Sequence, residues 1–135
     1  MHEFTLTNKT IYLAEDDTFL ASVIIQKLEM QGVIVAHFVN GEECLASIEK
    51  TLPDLLLLDI HLPGLTGYQI LDVLASKQIT PQLPVIVISN SGQSIEIERI
   101  QKLGIRDYII KANFAPDEVI AKIVEALSTT TNNLT

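Results

Sequence analysis

Short apolar runs alternate with helix-patterned stretches along this chain, and the alternation predicts its architecture. TIYLA (10–14) reads as a first strand. Thr18 can cap a helix running to about Gln31, with Leu20, Ile24 and Leu28 on one face and Gly32 as its stop. VIVAHF (33–38) is a second strand, closed by the turn pair Asn40-Gly41, and a helix to about Lys50 follows. LLLLDI (55–60) is a third strand with no polar face. Gly67 to about Lys77 reads as a helix facing inward through Ile70, Leu71 and Leu74. PVIVIS (84–89) is a fourth strand, Ile95 to Leu103 a helix ended by Gly104, and RDYIIK (106–111) a fifth strand. Pro116 suits the first position of a last helix, with Asp117 and Glu118 where the helix dipole favours acids. The tail STTTNNLT (128–135) is polar and is expected to fray.

Continuous Val/Ile/Leu strands separated by helices are the signature of a parallel sheet covered on both faces. The expectation is therefore an α/β fold, a doubly wound five-stranded parallel sheet in a three-layer sandwich. One domain is expected over 10–127, preceded by an N-terminal extension (1–9) and followed by a flexible tail (128–135). Folds of this kind bind ligands outside the carboxyl ends of their strands.

Polar residues close four of the five strands. The first ends in Glu15, Asp16 and Asp17, the third in Asp59, the fourth in Ser89 and the fifth in Lys111. The second ends in Phe38 and Val39, which look structural. Each polar residue alone has an ordinary explanation: Asp17 could cap a helix, Ser89 could begin a turn, and Lys111 could point into water. Their convergence on one rim is harder to dismiss. Clustered carboxylates repel one another and need a cation. Hard oxygen donors suit Mg²⁺. A lysine and a serine hydroxyl beside them would serve an anion, such as a phosphoryl group resting on a carboxylate.

Composition narrows the picture further. The 135 residues carry 9 basic and 17 acidic side chains, a formal charge of −8, which argues against direct nucleic-acid binding. A single cysteine, Cys44, excludes an internal disulfide and reads as a small packed side chain. No apolar run approaches the roughly 18 residues of a membrane span, and the first ten residues lack a signal-peptide core. A cytoplasmic protein without membrane contact is expected.

The segments IYLAEDD (11–17), LLLLDIHLPGLTG (55–67), VIVISNSG (85–92) and LGIRDYIIK (103–111) together resemble a response-regulator receiver domain, the phosphoacceptor module of two-component signalling. The resemblance runs from about Thr10 to Leu127. It implies the flavodoxin-like, CheY-like (βα)5 fold. It also implies that Asp59 is the phosphoacceptor and that Asp16 and Asp17 hold Mg²⁺ with Asp59 and the backbone carbonyl of His61. Ser89 and Lys111 would bind phosphoryl oxygens, and Tyr108 would be an aromatic switch coupled to Ser89. Glu15 is a weaker candidate ligand.

The implied function is a receiver of a two-component system or phosphorelay. It would take its phosphoryl group from a histidine kinase or a histidine phosphotransfer protein. Transfer to Asp59 and autodephosphorylation would be self-catalysed, with no independent substrate. Output would be a conformational change on the face of the fourth helix, fifth strand and last helix, read by an unknown downstream protein. A monomer or weak dimer is expected, and Met1 with the short tail leans towards a complete single-domain chain.

Two positions depart from the family pattern. Ala112 follows Lys111 where proline in a cis bond is usual, which puts the placement of Lys111 in question. Asn90 stands where small residues are usual. His61 and Ser91 occupy positions that tune dephosphorylation, while His2 and His37 show no chemistry in the sequence. The competing readings are a receiver fold that acts as a phosphorylation-independent interaction module, and a flavin-binding protein of similar topology. The second is disfavoured because the loop EDDT after the first strand would repel a phosphate.

Overall fold

A computed structural model describes residues 4–90, 94–113 and 115–133. The strands are β1 (Thr10–Ala14), β2 (Ile34–Phe38), β3 (Leu55–Asp59), β4 (Val85–Ser89) and β5 (Asp107–Ile110). The helices are α1 (Thr18–Met30), α2 (Gly41–Lys50), α3 (Gly67–Ser76), α4 (Ser94–Gln101) and α5 (Pro116–Asn133). All five strands run parallel in the order β2-β1-β3-β4-β5. This is the expected doubly wound sheet with β3 at its centre.

The four consecutive leucines now have a geometric explanation. Side chains alternate across a strand, and both faces of β3 are covered. Leu55 and Leu57 join Leu13, Ile24 and Ile123 beneath α1 and α5. Leu56 and Leu58 join Cys44, Ile70, Leu74 and Ile100 beneath α2, α3 and α4. All four leucines are wholly buried, and each such burial is worth about 1.5–3 kcal/mol. The strand is fixed from both sides, so the carboxylate that ends it is held in place.

Element boundaries follow the caps. Asp17, not Thr18, caps α1 by accepting the Leu20 N–H at 3.1 Å. Asn40 caps α2 through the Glu43 N–H, so Asn40-Gly41 starts a helix rather than a free turn. Gly32 lies just past α1 at φ +83°, a conformation that suits glycine. Lys111 lies beyond β5, in a single 3₁₀ turn over Lys111–Asn113. Helix α5 runs to Asn133, past Leu127 and into the polar segment. Ser, Thr and Asn cost a helix only a few tenths of a kcal/mol each, too little to stop one already propagating. At the other end Leu6, placed by sequence in an extension, is buried in the core under α1 and α5.

Among the described residues no helix is long and apolar enough to cross a membrane. Cys44 is wholly buried in α2, and burial pushes its thiol up to about 12. The thiolate is the reactive form, so an aromatic disulfide reagent at pH 8 is expected to leave the native protein unlabelled. One thiol per chain should react once urea unfolds it. Rapid native labelling would contradict this burial.

Candidate functional site

Three loops at the carboxyl ends of the strands build the site. The first follows β1. Glu15 is the residue directly beyond that strand, and it is wholly buried. Its N–H donates to the Phe38 carbonyl at 3.0 Å, continuing the pairing with β2. Its Oε2 accepts the Asp17 N–H at 3.0 Å. The second loop follows β3. Asp59 is nearly buried, and its Oδ1 accepts the His61 N–H at 2.9 Å. The third loop follows β5 and delivers Lys111. Its Nζ lies 3.1 Å from Asp59 Oδ2, 3.0 Å from Glu15 Oε1 and 3.1 Å from Glu15 Oε2.

One ammonium thus stands between two buried carboxylates. Burial pushes the Glu15 carboxyl up to about 7, and neighbouring Asp59 adds to the rise. The Asp17 N–H and the Lys111 ammonium oppose it. Burial alone would lower the Lys111 value, but its hydrogen bonds to Glu15 and Asp59 outweigh that and raise it. No peptide bond among the described residues is cis. The Lys111-Ala112 bond is therefore trans, and Lys111 still reaches Asp59.

A third acid completes the cluster. One carboxylate oxygen from each of Glu15, Asp16 and Asp59 lies within 4.8 Å of the others. These hard oxygen donors fit a small divalent cation such as Mg²⁺. Asp17 is not part of this group, whereas the resemblance pairs it with Asp16. Its carboxylate is turned to the helix terminus, where it caps α1. The acids that cluster with Asp59 are Glu15 and Asp16, because β1 stops at Ala14 and Glu15 follows it directly.

Of the other expected residues, Ser89 is buried at the last position of β4, beside Ile110 of β5. Tyr108 is half-buried and packs on the core beneath α2, α3 and α4. Asn90 is exposed, and Ser91 lies outside the described residues. The His61 ring is exposed, with Nε2 3.5 Å from Glu96 Oε1. That same Glu96 oxygen accepts the Tyr68 hydroxyl at 2.8 Å, and the Arg99 guanidinium sits 4.0 Å over the Tyr68 ring. This contact between α3 and α4 was not visible in the sequence, because the partners are 28 residues apart without a motif.

The loop after Asp59 is held by close packing. Gly67 donates its N–H to the Ile60 carbonyl. A Cβ there would stand 2.6 Å from Ile60 Cα and 2.7 Å from the Asp59 carbonyl oxygen. Gly67→Ala is therefore expected to lose about 1–3 kcal/mol by forcing the backbone apart. Urea denaturation would register this as a lower midpoint, and an unchanged midpoint would show that the loop yields freely.

Comparison with known proteins agrees with this geometry. The response regulator receiver domain family matches residues 11–124. The chain is 37% identical over 115 residues to the transcriptional regulatory protein CpxR of Escherichia coli K12, covering 84% of this chain and 47% of that protein. It is 33% identical over 127 residues to the phosphate regulon transcriptional regulatory protein PhoB of Pseudomonas aeruginosa, covering 93% of this chain and 54% of that one. The chain spans about half the length of these curated relatives. Among solved structures it is similar to the Francisella response regulator 1452 receiver domain. The TM-score is 0.84 at 28% identity, over 91% of this chain and 99% of that one.

Proposed function

The chain belongs to the response regulator receiver domain family, and from that premise we propose that it is a phosphorylatable switch of a two-component system or phosphorelay. The carrying observation is the single ammonium of Lys111 bridging buried Asp59 and Glu15 beside Asp16. Asp59 is the acceptor. An oxygen of its carboxylate forms a bond to phosphorus as the P–N bond of a donor phosphohistidine breaks.

Phosphoryl transfer depends mainly on positioning and charge stabilisation. Lys111 supplies an ammonium for a phosphoryl oxygen, and the Ser89 hydroxyl supplies a donor. Glu15, Asp16 and Asp59, with the His61 carbonyl, would hold Mg²⁺. The ion, when bound, adds charge neutralisation for the incoming phosphoryl oxygens. Attack of water on the acyl phosphate regenerates the carboxylate and resets the switch.

The donor is a histidine kinase or a histidine phosphotransfer protein, and the setting is the cytoplasm. Output passes through Ser89 and Tyr108 to the face formed by α4, β5 and α5, where a downstream protein reads it. The test is incubation of the purified chain with Mg²⁺ and a small acyl-phosphate donor. The expected result is a gain of one phosphoryl mass, labile to hydroxylamine and abolished by a chelator. Absence of that gain would favour an interaction module that works without phosphorylation.

A further inference from the structure

His37 showed no chemistry in the sequence, yet its ring meets the site. It lies on the edge strand β2, in register with Leu13, and is half-buried. Its Nε2 is 2.7 Å from the backbone carbonyl oxygen of Glu15. A carbonyl can only accept, so Nε2 carries the hydrogen and donates. The oxygen it meets belongs to the peptide that joins Glu15 to Asp16, two of the three clustered acids. On the other side of Glu15, its N–H is held by Phe38 of the same strand. Strand β2 therefore grips Glu15 twice, once from backbone and once from side chain. With both grips in place, rotation of the Glu15–Asp16 peptide is restrained, and with it the directions in which both carboxylates leave the backbone.

We propose that His37 is a positioning residue for cation binding, fixing the Glu15–Asp16 peptide through its Nε2–H. This rests on the reading above that the acid cluster takes Mg²⁺. Groups behind metal ligands commonly change affinity by roughly 10–100-fold when removed. His37→Leu removes the donor, and His37→Gln returns an N–H at about the same reach.

The experiment is calorimetric titration of the full chain with Mg²⁺ alone, alongside thermal melts without metal. His37→Leu is expected to weaken Mg²⁺ binding about tenfold, and His37→Gln to bind within about twofold of the unsubstituted chain. A merely structural role would lower the melting temperature and leave the affinity of the folded protein unchanged. Equal affinity of His37→Leu and the unsubstituted chain would overturn the proposal. So would a His37→Gln variant as weak as His37→Leu.

Should His37→Leu not fold, the unsubstituted chain still decides. Long-range proton–nitrogen correlation is expected to show the His37 ring protonated on Nε2 and its nitrogens shifting as Mg²⁺ is added. A ring protonated only on Nδ1, or one blind to bound Mg²⁺, would refute the role. Failure of the unsubstituted chain to bind Mg²⁺ at all would instead fault the metal reading, while the tautomer would still report on the hydrogen bond.

Discussion

Asp59→Asn is expected to abolish phosphorylation completely while leaving the fold intact. An amide oxygen is not a competent nucleophile towards phosphorus at neutral pH, whereas a carboxylate is. The substitution is nearly isosteric, and an amide oxygen can still accept the His61 N–H that Oδ1 now accepts at 2.9 Å. Lys111 retains Glu15 as its partner. The four leucines that fix β3 are untouched. Intact-protein mass spectrometry after incubation with an acyl-phosphate donor and Mg²⁺ should show a single added phosphoryl group on the unsubstituted chain and none on the variant. Circular dichroism should show the same folded signal for both. A mass gain that persists in Asp59→Asn would place the acceptor elsewhere and sink the assignment.

The second large effect concerns Lys111. Its side chain is 16% exposed, and the carboxylates it joins are 0% and 3% exposed. Removing one partner of a buried ion pair is far more costly than removing a surface pair, because the remaining charge keeps its desolvation penalty. Here two carboxylates would be left facing each other. Lys111→Ala is expected to cost roughly 3 kcal/mol in metal-free urea denaturation, the low end for breaking a buried pair. Uptake of a proton by Glu15, whose carboxyl already titrates near neutrality, softens the loss. Two further results should accompany it. Phosphoryl transfer should slow severely, because the ammonium that faces the incoming oxygens is gone. Added Mg²⁺ should stabilise the variant more than the unsubstituted chain, since the cation replaces a missing charge in one and competes with an existing one in the other. Equal stabilisation of both proteins would show that Lys111 and the metal act on separate charges.

The fold was largely legible because its evidence is local. Val/Ile/Leu runs, capping residues and the glycines after helices all act within a few positions of themselves. Leu55 to Leu58 announce a strand covered on both faces, and that statement needs no knowledge of what covers them. Asp59 and Lys111 were legible for another reason: strand ends can be read from hydrophobicity, and parallel topology sends those ends to one rim. Which acids cluster with Asp59 was harder to read. Whether Glu15 or Asp17 joins Asp16 turns on a single residue, set by where β1 stops and which acid the first turn of α1 recruits as its cap. Glu15, Asp16 and Asp17 are all acids, so composition could not separate them. His37 escaped because its partner is a backbone carbonyl, which every residue carries and no sequence pattern displays. The meeting of Tyr68 with Glu96 and Arg99 escaped because helix–helix contacts depend on crossing geometry rather than on spacing along either helix.

The hydrogen bond from Lys111 to Glu15 spans 96 positions, and the one to Asp59 spans 52. The chain is made from its amino end, so both acids leave the ribosome well before the lysine that balances them. Until β5 emerges and adds itself to the edge of the sheet, the nascent chain holds an acid cluster with no internal cation. Contacts so distant in sequence form late, after the entropy of closing the intervening loop has been overcome. On the function proposed above, competence to accept a phosphoryl group is thus a property of the finished molecule. A chain released before Lys111 would carry Asp59 and most of the core, yet it would lack the ammonium that joins Asp59 to Glu15.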